Sequence, residues 1–325
     1  MSPRQVNPLG RALIIANPAA QSGYGEVIAG RLQRFLKLYL RDLGTFDLVR
    51  TKAPGHAARI AAGAGAYDTV IALGGDGVIH EVANGLMRIV PASRPALGLV
   101  PVGSGNDYAR TLGIGDWRGG HLDRLLDCGR VRMDVGRITA DMGAGAAAHV
   151  EYFVQTCSFG LDAAIALGTV ALRARTGMRG GLLYGASGLT QFGVRYRKFP
   201  AHASLDGRDL GRLRAILFAM QIGPTYGSGF RVCPGADPQD GLIDICYAQG
   251  PIPRAVALPV FLSARGGHHT RLPLIHMARA RRIELAFERP DCPIQADGER
   301  VRASSMCVEC LPAALTVLKP LRAGA

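Results

Sequence analysis

Three short stretches hold the residue types best suited to chemistry. The first is Leu73-Gly74-Gly75-Asp76-Gly77. Paired glycines after an apolar run let the backbone come close to a ligand, because no Cβ intervenes. A helix beginning there would aim free N–H groups at an anion. Asp76 beside them could hold a divalent cation, directly or through water, or bond a ribose. The second stretch is Pro101-Val102-Gly103-Ser104-Gly105-Asn106-Asp107-Tyr108-Ala109-Arg110. It is another Gly-rich loop, with a hydroxyl, an amide and a carboxylate added. Asn106 or Asp107 could equally cap a helix, and the two roles are compatible. The third is Asp297-Gly298-Glu299, whose Asp-Gly pair reads as a turn that could present Glu299. Taken alone, this last motif is an ordinary solvated turn.

The elements that position these residues follow from the hydrophobic pattern. Arg11 to Ala16, Phe46 to Arg50, Thr69 to Leu73 and Leu97 to Val100 read as short strands. Helical spacing between them predicts helices over Val27–Leu40, His56–Gly63 and Val78–Arg88, with another starting at Asn106. Strand–loop–helix repeats of this kind describe a parallel sheet covered on both faces. Such sheets bind ligands at the carboxyl ends of their strands, where both glycine loops fall. Two such loops on adjacent strand ends point to phosphate binding. After about Val131 the rhythm changes. Short runs predict strands over Val150–Cys157, Ala201–Leu205, Leu213–Gln221, Gly241–Tyr247, Arg282–Phe287 and Cys307–Glu309, with inserted helix between Ala163 and Tyr196. The fold class expected is an α/β domain over 1–130 and an antiparallel, β-sandwich-like domain over 131–312. The strand-like end of the chain, 313–325, returns to the first domain.

Several function classes are excluded. Neither glycine loop matches G-x-x-x-x-G-K-[ST], no G-x-G-x-x-G follows the first strand, and the protein-kinase motifs are missing. Aromatic residues make up 6% of the chain, too few to suggest a base-stacking platform, so nucleic acid is not an expected partner. The seven cysteines are an odd count in a long chain and point to reduced thiols in the cytoplasm. Cys307-x-x-Cys310 has no second pair to complete a metal site. His268 and His269 read as solvated residues of a Gly- and Arg-rich loop. The first ten residues lack the apolar core of a signal peptide, and no apolar run is long enough to span a bilayer.

In order along the chain, the motifs resemble those of the diacylglycerol kinase catalytic-domain family, in its bacterial soluble branch, with sphingosine and ceramide kinases as relatives. The resemblance rests on Asn17-Pro18 through Gly23-Tyr24-Gly25 and on Gly74-Gly75-Asp76-Gly77-Val78, where Val78 stands in the family's usual threonine position. It continues through the 101–110 loop, where Ser104 replaces a threonine, then Arg132-Met133-Asp134, Phe159-Gly160-Leu161-Asp162-Ala163, Gly235 to Leu242, and Asp297-Gly298-Glu299. It covers nearly the whole chain.

The resemblance implies an ATP-dependent lipid kinase with ATP held between two domains. Asn17, Thr51, the 74–80 loop (Gly74, Gly75, Asp76, Gly77, Val78 and His80), Gly103, Ser104, Asn106 and Asp107 would line the nucleotide site. Asp76, Asp107 and Asp134 would organise Mg²⁺ near the phosphates. Glu299, with Asp297, would act as general base, and Asp237, Asp240 and Leu242 would hold a second, structural Mg²⁺. A kinase for NAD, or a non-catalytic lipid-binding module of the same fold, would share much of this pattern. A homodimer is compatible with it.

The net charge of +13 favours a polyanionic partner. Ala163–Leu205 lacks acids but carries Arg173, Arg175, Arg179, Arg195, Arg197 and Lys198. Ile245–Ile283 also lacks them and carries Arg254, Arg265, Arg271, Arg279, Arg281 and Arg282. One or both stretches are expected to meet an anionic membrane from its water side.

Overall fold

A computed structural model describes residues 7–39, 45–114, 122–143, 147–176, 186–188, 190 and 196–321, and of residues 170, 171 and 173–175 the backbone alone. The chain divides into two compact units, Met1–Met133 with Ala313–Ala325, and Asp134–Pro312.

The first unit is built on β1 (Ala12–Ala16), α1 (Tyr24–Tyr39), β2 (Phe46–Arg50), α2 (His56–Ala62), β3 (Thr69–Gly74), α3 (Asp76–Met87), β4 (Ala96–Pro101) and α4 (Asp107–Thr111). All residues of β1, β3 and β4 are buried, as strands covered on both faces require. They pair in parallel in the order β2-β1-β3-β4, and Val317 of the last strand pairs with Leu97 at the edge of β4. Helix α1 buries Ile28, Ala29, Leu32 and Leu36 and leaves Val27 and Tyr39 about half exposed, so its inward face is narrower than the apolar spacing suggests. Helices α2 and α3 pack tightly at Gly85. A methyl there would stand 2.4 Å from the Ala58 carbonyl oxygen.

The second unit is antiparallel. Its strands are the latter part of β5 (Cys128–Asp141), β6 (His149–Phe153), β7 (Thr156–Gly160), β8 (Phe199–Leu205), β9 (Arg208–Gln221), β10 (Ile243–Gln249), β11 (Ile275–Ala280), β12 (Arg282–Phe287), β13 (Ile294–Ala296), β14 (Glu299–Val301) and the first part of β15 (Ser305–Pro320). They run in the order β14-β13-β7-β9-β8-β12-β15, with β10 and β11 extending from β9 and β6 pairing with β5. Phe153, Phe159, Phe199 and Phe218 lie in its core. Two helices accompany it, α5 (Leu161–Thr176) and α6 (Arg254–Ser263).

Several elements differ from the sequence expectation. The run Val150–Cys157 is broken at Val154-Gln155 into two strands, because these two backbone N–H groups turn to the Asp297 carboxylate. Strand β5, helix α6 and strand β11 have no counterpart in the sequence reading. His269 is not a solvated loop residue. It is 3% exposed, with Nε2 3.0 Å from the Val232 carbonyl oxygen. Cys307 and Cys310 sit three apart on β15, an odd spacing that sends their side chains to opposite faces.

Candidate active site

In the first unit, sheet register brings the sequence motifs to one level. Ala16 is opposite both Arg50 and Leu73, and Gly74 is opposite Pro101. Asn17, Thr51, the 74–77 segment and the 102–107 loop therefore all follow directly from aligned carboxyl ends. The order β2-β1-β3-β4 reverses direction between β1 and β3, and such reversals open the crevice where α/β sheets take ligands.

Close backbone contacts hold these loops together. Gly75 and Gly103 meet face to face, and a methyl on Gly103 would stand 2.6 Å from Gly75 Cα. The Val102 N–H donates to the Gly74 carbonyl at 2.7 Å. Gln21 Nε2 donates to the Gly103 carbonyl at 2.7 Å and ties in the loop after β1. Gln21 was not singled out from sequence, since nothing local distinguishes a bridging glutamine in a polar loop. Asn17 Oδ1 accepts from the Ala19 N–H at 3.0 Å, and the Thr51 N–H donates to Ala16 at 2.8 Å.

Asp76 organises the junction of the two glycine loops. Its Oδ2 accepts from the Asn106 N–H at 2.8 Å and its Oδ1 from the Asp107 N–H at 3.0 Å. It thereby caps α4 from a distant part of the chain. Asn106 has a left-handed φ of 53° and turns its side chain back to accept from the Gly103 N–H at 2.9 Å. Asp107 is 6% exposed and accepts from Arg110 Nη1 at 2.7 Å. Both carboxylates close on Gly105, where an added Cβ would be 2.7 Å from Asp76 Oδ2 and 3.4 Å from Asp107 Oδ2. Gly77 and Ser104 remain half-buried. Val78 is buried over Gly74, and His80 lies one helical step further in, 4% exposed beside Asn84.

The other expected residues belong to the second unit. Asp134 is 1% exposed, and its Oδ2 accepts from the Gly241 N–H at 2.7 Å. Asp237 and Asp240 are exposed, and each carboxylate accepts from a backbone N–H two residues on, at Gln239 and Leu242. The cation that attends this loop is Arg279. Its Nε donates to Asp244 Oδ1 at 3.0 Å, its Nη2 to the Gly235 carbonyl at 3.1 Å, and its Nη1 stands 3.8 Å from Asp240. Among the described residues, no three His, Cys, Asp or Glu side chains gather as a metal site.

Asp297 and Gly298 form the two-residue turn between β13 and β14, with φ of 48° and 94°. The Asp297 carboxylate is fully occupied in structure. It accepts from the N–H groups of Val154, Gln155 and Thr156 at 2.9, 3.0 and 2.9 Å. Glu299, two residues on, is exposed and has no side-chain partner among the described residues. The turn is further braced by Gln295, whose Oε1 accepts from the Gly298 N–H at 2.7 Å while its Nε2 donates to Ser158 at 2.8 Å.

Of the two acid-free stretches, Arg179 and Arg195 and the side chains of Arg173 and Arg175 fall outside the described residues. In the other, Arg279 and Arg282 pair with Asp244, Glu284 and Glu309. Arg254 lies over the Tyr196 ring. Arg265 and Arg271 are exposed without an ion pair among the described residues, close in sequence to the exposed Leu262, Leu272 and Leu274.

A parallel α/β unit with glycine loops at its switch point, followed by an antiparallel β unit, defines the fold shared by diacylglycerol kinases and NAD kinases. A crystal structure of a diacylglycerol kinase from Bacillus anthracis str. Sterne matches with a TM-score of 0.72 at 21% identity, over 95% of this chain and 97% of that one. Yeast NADH kinase matches with a TM-score of 0.52 at 10% identity, over 99% and 88%. Both likenesses concern the fold alone. Residues 11–138 match the diacylglycerol kinase catalytic domain, and residues 155–319 match the YegS C-terminal NAD kinase beta sandwich-like domain. A curated relative named "Diacylglycerol kinase" from Mycobacterium tuberculosis is 31% identical over 96% of each chain. A protein of Xanthomonas campestris pv. campestris named "Probable lipid kinase YegS-like" is 31% identical over 78% of this chain and 79% of its own. The chain belongs to the diacylglycerol kinase-like lipid kinase family.

Proposed function

We propose that the chain transfers the γ-phosphate of ATP to the hydroxyl group of a lipid. The observation that carries this reading is the knot of loops at the β1/β3 switch point, where Gly74–Gly77 and Gly103–Asp107 are held together by Asp76. Backbone N–H groups, a Ser104 hydroxyl and a helix N-terminus suit a polyphosphate. Phosphoryl transfer needs positioning and charge neutralisation above all.

The residues also fit a hard divalent cation. Asp76 is half-buried, its carboxylate and that of Asp107 both border Gly105, and Mg²⁺ commonly takes one or two carboxylates while sharing its remaining sites with phosphate and water. Bound there, Mg²⁺ would neutralise phosphate charge. Asp76 and Asp107 are both already hydrogen-bonded, to the Asn106 and Asp107 N–H groups and to Arg110 respectively, and the two carboxylates would hold the ion together in this reading. At 237–242, the exposed Asp240 carboxylate, with main-chain oxygens of Asp237 and Leu242, would hold a second, structural Mg²⁺ beside Arg279.

Glu299 takes the part of general base. Its carboxylate accepts the proton of the lipid hydroxyl as that oxygen attacks the γ-phosphorus. The bond from the γ-phosphorus to the bridging oxygen breaks, and ADP leaves. Its exposure and lack of a structural partner suit this role, whereas Asp297 holds the turn that carries it. Peripheral contact with an anionic membrane, through Arg265, Arg271 and the exposed leucines beside them, would bring the acceptor from the water side. No described helix is long and apolar enough to cross a bilayer.

The test is incubation of pure protein with labelled ATP, Mg²⁺ and a total lipid extract, with the labelled product identified. A chloroform-soluble phosphate ester that disappears in Glu299→Gln is the expected result. Labelling of water-soluble NAD in place of lipid would reverse the assignment.

A further inference from the structure

The turn that presents Glu299 stands on little backbone support. Strands β13 and β14 are three residues each, and β14 ends its sheet. A hairpin this short has little stability of its own, so side-chain bonds must fix the angle at which Glu299 leaves it. Asp297 ties the turn to the backbone at the start of β7. The peptide that joins Asp297 to Gly298 is held from a different direction, by Gln295.

Gln295 is 1% exposed, so neither end of its amide is left to water. The Gly298 N–H can only donate, so the amide atom 2.7 Å from it is the oxygen. The amide nitrogen then faces Ser158, directly opposite on β7, and donates to its Oγ at 2.8 Å. Ser158 is completely buried. With its oxygen accepting from Gln295, its own hydrogen is left for the Asp162 carboxylate at the start of α5, whose charged form Ser158 favours. Asp162 also accepts from the Tyr226 hydroxyl at 2.9 Å. Gly298, Gln295, Ser158 and Asp162 thus form one chain in which every hydrogen points toward the carboxylate. Turning any member round would set one buried donor against another. Bonds linked head to tail in this way also polarise one another.

We propose that Gln295 and Ser158 are positioning residues for the general base, fixing the Asp297–Gly298 peptide plane, and so the departure of Glu299, through a one-way chain anchored on Asp162. This role deepens the kinase reading and rests on Glu299 being the base, whereas the chain itself can be tested without turnover.

Kinetics and hydrogen exchange on the full chain test both. Gln295→Met keeps the length of the side chain and removes its polar ends. Its kcat on a total lipid extract with labelled ATP should fall about tenfold, as for a base held less well, with the KM for ATP and for the extract unchanged. Exchange at the Gly298 amide should quicken about tenfold, since its acceptor is gone. Ser158→Ala, one link further from the turn, should give the same signature. The double variant should be no slower than the slower single one, because both cut one chain.

Gln295→Glu supplies a pH readout. A protonated glutamate accepts from Gly298 and donates to Ser158 as glutamine does, and an ionised one cannot donate. The charged groups around a carboxyl here are Asp162 beyond Ser158, Asp297 in the turn and the exposed Arg300 opposite on β14. Burial and the two acids hold it neutral at low pH, so kcat relative to wild type should fall about tenfold from about pH 6 to about pH 9. An unchanged kcat in a folded Gln295→Met, additive losses in the double variant, or a Gln295→Glu profile parallel to wild type overturns the assignment. If the variants fail to fold, the wild-type chain decides: slow exchange at Gly298 supports the brace, and exchange as fast as an open loop overturns it. Protection at Gly298 without any labelled lipid upholds the chain and sinks the kinase reading. Labelled lipid with an unprotected Gly298 sinks the chain alone.

Discussion

At the scale of single residues, neighbouring carboxylates in this molecule have different jobs. Asp297 spends its oxygens on three backbone N–H groups, and Glu299 spends none. Glu299→Gln should therefore lower kcat by at least about a hundredfold, as expected for loss of a general base, and leave the thermal midpoint unchanged. Asp297→Ala should instead destabilise the fold by about 3 kcal/mol, since it strands buried donors. Thermal denaturation beside initial-rate kinetics separates the two. Asp162 makes a third case. Burial pushes its carboxyl up to about 6 from the ordinary 3.8, against the lowering pull of Ser158, Tyr226 and the first-turn N–H groups of α5. A raised carboxyl penalises the native state when charged. The penalty is fully present above pH 6 and gone below about pH 4, and the gap corresponds to about 3 kcal/mol. Asp162→Asn should accordingly melt at a higher temperature than wild type at pH 8, and the two should converge near pH 4. A constant difference across that range would show that the group does not titrate as its burial demands.

At the scale of elements, the glycine loops act as one part. Gly103→Ala would drive a methyl against Gly75 Cα and Asn106 Oδ1, so the two loops must separate. A rise of at least about tenfold in the KM for ATP is expected, with a loss of roughly 1–3 kcal/mol in stability from overpacking. This half of the molecule was legible in the sequence. Each buried strand is short, runs straight into its glycine loop and is followed by a helix with clear periodicity, so local pattern and tertiary role agree. The β half was harder to read. Strand β5 carries the exposed Arg130 and Arg132 and the half-buried Arg137, and β9 and β15 run to 14 and 16 residues, across several pairing partners. Helix α6 contains Pro259 and has no polar face, so it offers no helical signal. The motifs around the site could be found because they are contiguous. Gln21 and His269 could not be found, since what places them is contact with residues 82 and 37 positions away.

At the scale of the whole molecule, a net charge of +13 favours a polyanionic partner. Arginines 279 and 282 pair with Asp244, Glu284 and Glu309, all outside that stretch, so the charge count of Ile245–Ile283 overstates what faces outward. Arg265 and Arg271, near exposed leucines, are the residues expected to meet lipid. Co-sedimentation should find the protein on vesicles containing phosphatidylglycerol, with binding lost at high salt and weakened about thirtyfold in the Arg265→Glu, Arg271→Glu double variant, at about 1 kcal/mol for each basic group. Binding to neutral vesicles of equal strength would remove the electrostatic part of this reading.

The edge strand of the first unit has a bearing on biosynthesis. Leu315, Val317 and Leu318 are buried, Val317 pairs with Leu97, and Arg94 Nη1 reaches the Ala314 carbonyl oxygen at 2.5 Å. On the ribosome, these residues emerge after the entire β unit has been made. Until then β4 offers an unpaired hydrophobic flank, the kind of surface that recruits chaperones or neighbouring nascent chains. The first unit thus waits on residues made after the whole β unit to be sealed.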